Sequence, residues 1–131
     1  MKKILFFLWP ILASCATKSE MRSLPSDAGS KGVFKESMEK VRLAAQDSTG
    51  ELGFKIKEQT SSDLEASYIA SQGLSSGGGG RYVRVRVARN GGEVLVYVAV
   101  RSKAESREAA QTDELIEKDI LKRIGNRLGV K

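Results

Sequence analysis

The chain has 131 residues, 40% of them hydrophobic and 29% charged, which fits one folded domain and excludes a disordered chain or a multi-spanning membrane protein. Twenty-two Lys and Arg against sixteen Asp and Glu give a formal charge of +6, with no histidine and a single cysteine. The missing histidine removes the commonest neutral-pH acid–base group and metal ligand, so neither a metal nor a cofactor is expected, and one cysteine excludes an internal disulfide.

The N-terminus reads in three parts. Met1-Lys2-Lys3 is a basic front, and Ile4 to Leu12 is a nine-residue apolar run. A membrane-spanning helix needs about 20 apolar residues, so this run is too short to be one and has the form of an export signal. It ends in Leu12-Ala13-Ser14-Cys15, an aliphatic residue, two small ones and a cysteine.

These four residues resemble the lipobox of bacterial lipoproteins. The resemblance implies that residues 1–14 are a signal peptide cut between Ser14 and Cys15, and that the Cys15 sulfur carries a diacylglyceryl group. It also implies that the new α-amine is acylated, with fatty acids such as palmitate. Two or three chains, at about 0.8 kcal/mol per buried CH₂, hold a hydrophilic body firmly on a membrane. Loss of Lys2 and Lys3 leaves twenty cations against sixteen carboxylates, a mature charge of +4. Ala16 stands where an aspartate would resemble an inner-membrane retention signal, which points to the outer membrane, facing the periplasm.

Residues 15–32 read as the lipidated cysteine and a flexible tether, since they lack periodicity and contain Pro25 and Gly29. Fifteen such residues span roughly 20–25 Å on average. The folded domain is then expected over 33–131. Phe34, Met38, Val41, Ala45 and Ser48 share one helical face, with Gly50 or Gly53 ending the helix. Leu52, Phe54 and Ile56 alternate with Gly53, Lys55 and Lys57 as a strand. A turn over Thr60 to Asp63 leads to a second strand over 64–71, with Leu64, Ala66, Tyr68 and Ala70 inward.

Residues 73–80, rich in glycine, form a connector. A hairpin follows, because Asn90-Gly91 suits a two-residue type I′ turn. In that register Val87 faces Val94, Val85 faces Val96 and Val83 faces Val98, which puts six valines on one face; a Gly91-Gly92 turn keeps the same parity. The last helix is expected from Thr112, as N-cap, to Leu128, with Ile116, Ile120, Ile124 and Leu128 as its apolar stripe and Gly129 as its stop. The expected fold is α+β in the order α-β-β-β-β-α, a four-stranded antiparallel meander with both helices on the valine face. In pattern alone, residues 33–128 resemble the small α/β-sandwich domains of envelope lipoproteins, a likeness that carries no functional residue.

The sharpest candidate site is the sheet face opposite the valines. There Tyr82, Arg84 and Arg86 sit across the hairpin from Ala99, Tyr97 and Leu95, with Lys55 and Lys57 on the same side. Guanidinium groups grip phosphate and carboxylate and stack on tyrosine, so this face suits an anionic lipid, an acidic glycan or an acidic protein. Long basic side chains that shield a solvated sheet are the plainer explanation.

Ser76 to Arg81 lacks the Gly-Lys-Ser/Thr ending of a phosphate loop and leads into a strand. Arg-Tyr-Val-Arg-Val lacks the glycine and phenylalanine of an RNA-binding sheet, and no nucleic acid partner is expected of an exported chain. Asp63 and Glu65 read as turn chemistry, and Asp113, Glu114 and Glu117 as helix N-terminal charge. No catalytic residue emerges and no enzyme is expected. The expectation is a membrane-anchored envelope interaction or assembly-accessory domain, with an anionic lipid- or glycan-binding module as the alternative.

Overall fold

The computed structural model describes residues 18–73, 80–103 and 106–129; the signal sequence, the Ser14/Cys15 cleavage and lipidation site and most of the glycine-rich connector lie outside them. In chain order the elements are α1 (Lys18–Arg22), β1 (Ser30–Phe34), α2 (Met38–Glu51), β2 (Lys55–Ser61), β3 (Glu65–Gln72), β4 (Arg81–Asn90), β5 (Glu93–Ser102) and α3 (Arg107–Leu128). The fold is α+β, with one antiparallel sheet in the order β1-β5-β4-β3-β2.

The expected meander is present as β2 to β5, but the sheet has five strands rather than four. The additional strand is β1, built from residues expected to be tether and helix start. It crosses to the far edge and pairs Ser30 with Val98 and Phe34 with Val94. Its inward positions are Ser30, Gly32 and Phe34, so a single hydrophobic side chain marks its buried face. Gly32 lies where α3 closes over β1: a Cβ there would press on the side-chain ends, 2.9 Å from Leu121 Cδ2 and 3.0 Å from Phe34 Cε2. Phe34 accordingly belongs to β1, and α2 begins at Met38 behind Ser37, whose Oγ accepts the Lys40 N–H.

The valine hairpin forms with its turn one residue later than Asn90-Gly91. Asn90 pairs with Glu93, so Gly91-Gly92 is the loop, and Val87 faces Val96 while Val85 faces Val98. Gly91 has φ of 65°, and Gly92 does not take a positive φ. A type II′ turn asks for positive φ only at its first central residue, where glycine adopts it freely. A type I′ turn at Asn90-Gly91 would have forced Asn90 there too. The two-residue shift preserves parity, and the valines stay on one face.

That face is the core. Val83, Val85, Val87, Val94, Val96, Val98 and Val100 form one hydrophobic cluster with Val41, Ala44 and Ala45 of α2 and Ile120 and Ile124 of α3. Burying a valine or isoleucine contributes about 1.5–3 kcal/mol. Ala66, Tyr68 and Ala70 are buried as expected, but Leu64 is 66% exposed in the turn and Ile56 is 38% exposed on edge strand β2. Phe54, just before β2, supplies the inward side chain there. Beneath α2, Thr49 Oγ1 donates to Ala45 O at 2.8 Å and therefore accepts the Tyr68 hydroxyl at 2.7 Å. Burial raises the Tyr68 pKa well above the ordinary phenol value.

Helix α3 starts earlier than the expected Thr112. Ser106 is its N-cap, its Oγ accepting the Ala109 N–H, and Gly129 ends it in the left-handed region. The extra turn places Asp113 and Glu117 beside β5, where both are buried.

Candidate functional site

The sheet face opposite the valines is covered over β3 and β4. Residues 18–29, expected to be a flexible tether, lie against it as a strap. Met21 of α1 is fully buried, and α1 rests on β3 and β4. Its five residues would not hold a helix alone; tertiary contact fixes them. Beyond α1, Pro25 to Ala28 close a turn through the Ala28 N–H to Pro25 O bond at 3.0 Å. Gly29, with φ of 91°, then passes so close to β5 that a Cβ would sit 2.0 Å from Val98 O.

Arg84 fastens the strap. Only 7% exposed, its Nη1 donates to Met21 O at 3.3 Å and Leu24 O at 2.8 Å, and its Nη2 to Pro25 O at 2.6 Å. Met21 O also accepts the Leu24 N–H at 3.4 Å and Pro25 O the Ala28 N–H at 3.0 Å, so the guanidinium fork gives each of these carbonyls a second donor. Burial, and then the charges of Arg86 and Arg101, lower the Arg84 pKa, against a smaller opposing effect of Glu65.

Arg86 is engaged as well. Its Nε and Nη2 grip Glu65 at 2.6 and 3.3 Å, its Nη1 reaches Ser26 O at 3.3 Å, and its guanidinium lies 5.4 Å from the centroid of the Tyr97 ring. The turn shift alters the expected neighbours: Arg84 faces Ala99, Arg86 faces Tyr97 and Tyr82 faces Arg101.

The open basic platform is thereby corrected. Arg84 is spent on backbone carbonyls and Arg86 on Glu65, and the strap stands where a ligand was expected. Lys55 stays on this face, paired in register with Ser71, whereas Lys57 occupies the irregularity between Ile56 and Glu58. That bulge turns Glu58 onto the strap side, opposite Ile69 and in the same cross-strand row as Arg84. Glu58 then accepts Arg22 Nε at 2.8 and 3.1 Å.

Sequence reasoning missed Met21, Arg22, Leu24 and Glu58. Its one available signal was the i, i+3 spacing of Met21 and Leu24 ahead of a Pro-Ser-Asp turn. What remains between strap and sheet is an open cleft of about 350 Å³, lined among others by Arg22, Ser26, Glu58, Glu65, Ser67 and Arg86.

The carboxylates of α3 are structural acceptors. Glu117 takes the Val100 N–H at 2.9 Å and the Ser30 hydroxyl at 2.8 Å. Asp113 takes the Ser102 N–H at 3.0 Å and its hydroxyl at 2.6 Å, with Arg81 at 3.2 Å. Strand β1 ends its pairing at Val98, so these two side chains complete the outer edge of β5 where no strand lies. This corrects the assignment of both as helix N-terminal charge. A scan against models of known protein families finds no match to this chain, and a search of curated protein sequences finds none either.

Proposed function

We propose that this protein is an exported lipoprotein, anchored through acyl chains on Cys15, whose folded body serves as an envelope interaction or assembly-accessory domain at the outer membrane. The observation that carries the reading is the sequence Leu12-Ala13-Ser14-Cys15 behind a basic front and a nine-residue apolar run. Such a run is too short to span a bilayer and is followed at once by the cysteine that lipid attachment needs. The side chains that chemistry would recruit also have structural partners: Arg84 and Arg86 hold the strap, and Asp113 and Glu117 finish the edge of β5. This supports a domain that acts by presenting a surface.

The test is the intact mass of the protein made in a bacterium with lipoprotein machinery. The expected species begins at Cys15 and carries the diacylglyceryl increment, and Cys15→Ala moves the protein out of the membrane fraction. A mature chain that is unmodified, or that starts elsewhere, overturns the anchor. Crosslinking in intact cells followed by mass spectrometry tests the interaction role, which predicts a discrete envelope-protein adduct that disappears with Cys15→Ala.

A further inference from the structure

We propose that the strap side of the domain is its membrane-docking surface, resting directly on an anionic phospholipid headgroup layer with the α2/α3 layer turned away. The inference rests on lipidation of Cys15. Its own ground is the distance from that residue to the first fixed point of the fold. Lys18 already belongs to α1, and Met21 of the same helix is fully buried against the sheet. From Cys15 to Lys18 the chain reaches at most about 10 Å, at 3.3–3.6 Å per residue.

The leash therefore leaves from the strap side and is too short to let the body tumble. The strap, the sheet and the α2/α3 layer are stacked in that order, because Met21 packs on one face and Val41, Ile120 and Ile124 join the valines of the other. The helices then stand on the order of 20 Å further from the anchor than the strap does, at about 10 Å per layer.

Charge runs the same way. Residues 18–29 together with the strap-facing positions of the sheet (Lys31, Lys55, Arg84, Arg86 and Arg101 against Glu58, Glu65 and Glu93) hold seven cations and five carboxylates. Helices α2 and α3 hold seven cations and eight carboxylates. Arg22 with Glu58 and Arg86 with Glu65 cancel. Lys18, Lys31 and Lys55 are exposed on the strap side and make no ion pair among the described residues. Basic residues near an anionic leaflet contribute about 1 kcal/mol each within a Debye length of it. Three such lysines on a leash this short favour the orientation that brings them to the headgroups.

The experiment uses the full lipidated protein in vesicles of phosphatidylglycerol and phosphatidylethanolamine that contain a headgroup nitroxide lipid. Its intact mass is measured first. A thioether at Cys15 leaves a newly placed cysteine as the reactive thiol, so Lys31→Cys, Lys55→Cys, Leu115→Cys and Lys118→Cys are each labelled with a fluorophore. Quenching at 31 and 55 is expected to exceed that at 115 and 118 several-fold. A Gly/Ser insert of about twelve residues after Ala16 lengthens the leash and should erase most of the difference. Vesicles of phosphatidylcholine should reduce it.

Equal quenching at all four positions, or stronger quenching on α3, in a sample whose mass shows the lipid overturns the docking proposal and leaves the anchor standing. A mass without lipid overturns both. A difference that survives the insert and the neutral vesicles unchanged overturns the leash-and-charge account.

Discussion

Arg84→Ala removes the three hydrogen bonds that hold residues 21–25 to the sheet. A hydrogen bond involving a charged group contributes about 1.5–3 kcal/mol, so the three together set an upper limit of several kcal/mol. Two effects lower it: the variant no longer buries a guanidinium that lacks a carboxylate partner, and the freed carbonyls regain water once the strap lifts. The loss also cannot exceed the free energy by which the strap is docked. Burial of Met21 contributes about 1.5–3 kcal/mol to that docking.

The expected cost is about 3 kcal/mol, read as a lower urea midpoint and a fall in Tm of roughly 12–20 °C for a domain of this size. Limited trypsin digestion gives the local readout. Cleavage after Arg22 follows the opened population of the strap, so about 3 kcal/mol corresponds to an acceleration on the order of 100-fold. Arg84→Lys should fall between the two, since a single ammonium cannot span three carbonyls. A variant within about 0.5 kcal/mol of the parent, with cleavage at Arg22 unchanged, would refute the role assigned to Arg84.

Three further outcomes are expected. Gly29→Ala should cost more than about 3 kcal/mol by denaturant melt, because a Cβ 2.0 Å from Val98 O on a positive-φ backbone forces β1 away from β5. Tyr68→Phe should cost about 1 kcal/mol at neutral pH by taking the donor from Thr49, yet it should flatten the alkaline limb of stability. With the folded pKa raised above the ordinary phenol value of 10.0, the Tyr68 contribution is complete below that value. It is lost as pH rises and the unfolded chain releases its proton. Melts between pH 8 and 11 check both.

Glu51 acts in the opposite sense. Its pKa is lowered from 4.5 chiefly by hydrogen bonds from Arg123 and then Arg127. Its contribution is present above 4.5 and lost as pH falls through the lower folded value, so Glu51→Gln should weaken the acid dependence of the urea midpoint.

The meander, the valine face and its parity, the buried side of β3 and the apolar stripe of α3 were legible in the sequence, because each repeats a period of 2 or 3.6 over many residues. The strap and β1 were not. Ser30, Gly32 and Phe34 show no hydrophobic alternation, and their pairing partners lie sixty or more residues away. α1 is held by a guanidinium from the middle of the chain, a contact without local signature. The basic face illustrates the same limit. Alternation placed Arg84 and Arg86 on the correct side, but their partners came from the strap and from Glu65. The bulge at Lys57 broke the parity that grouped it with Lys55, and only the pairing in space reveals it.

The outer edge of β5 is finished by the two extremities of the described fold, Ser30 and its strand along one stretch and the carboxylates of Asp113 and Glu117 along the other. Glu117 joins the two through the Ser30 hydroxyl. A chain shortened at either terminus would uncover backbone donors along a valine-rich strand, a template for self-association. Truncation variants that begin near Val33 should therefore aggregate instead of yielding a smaller version of the same body.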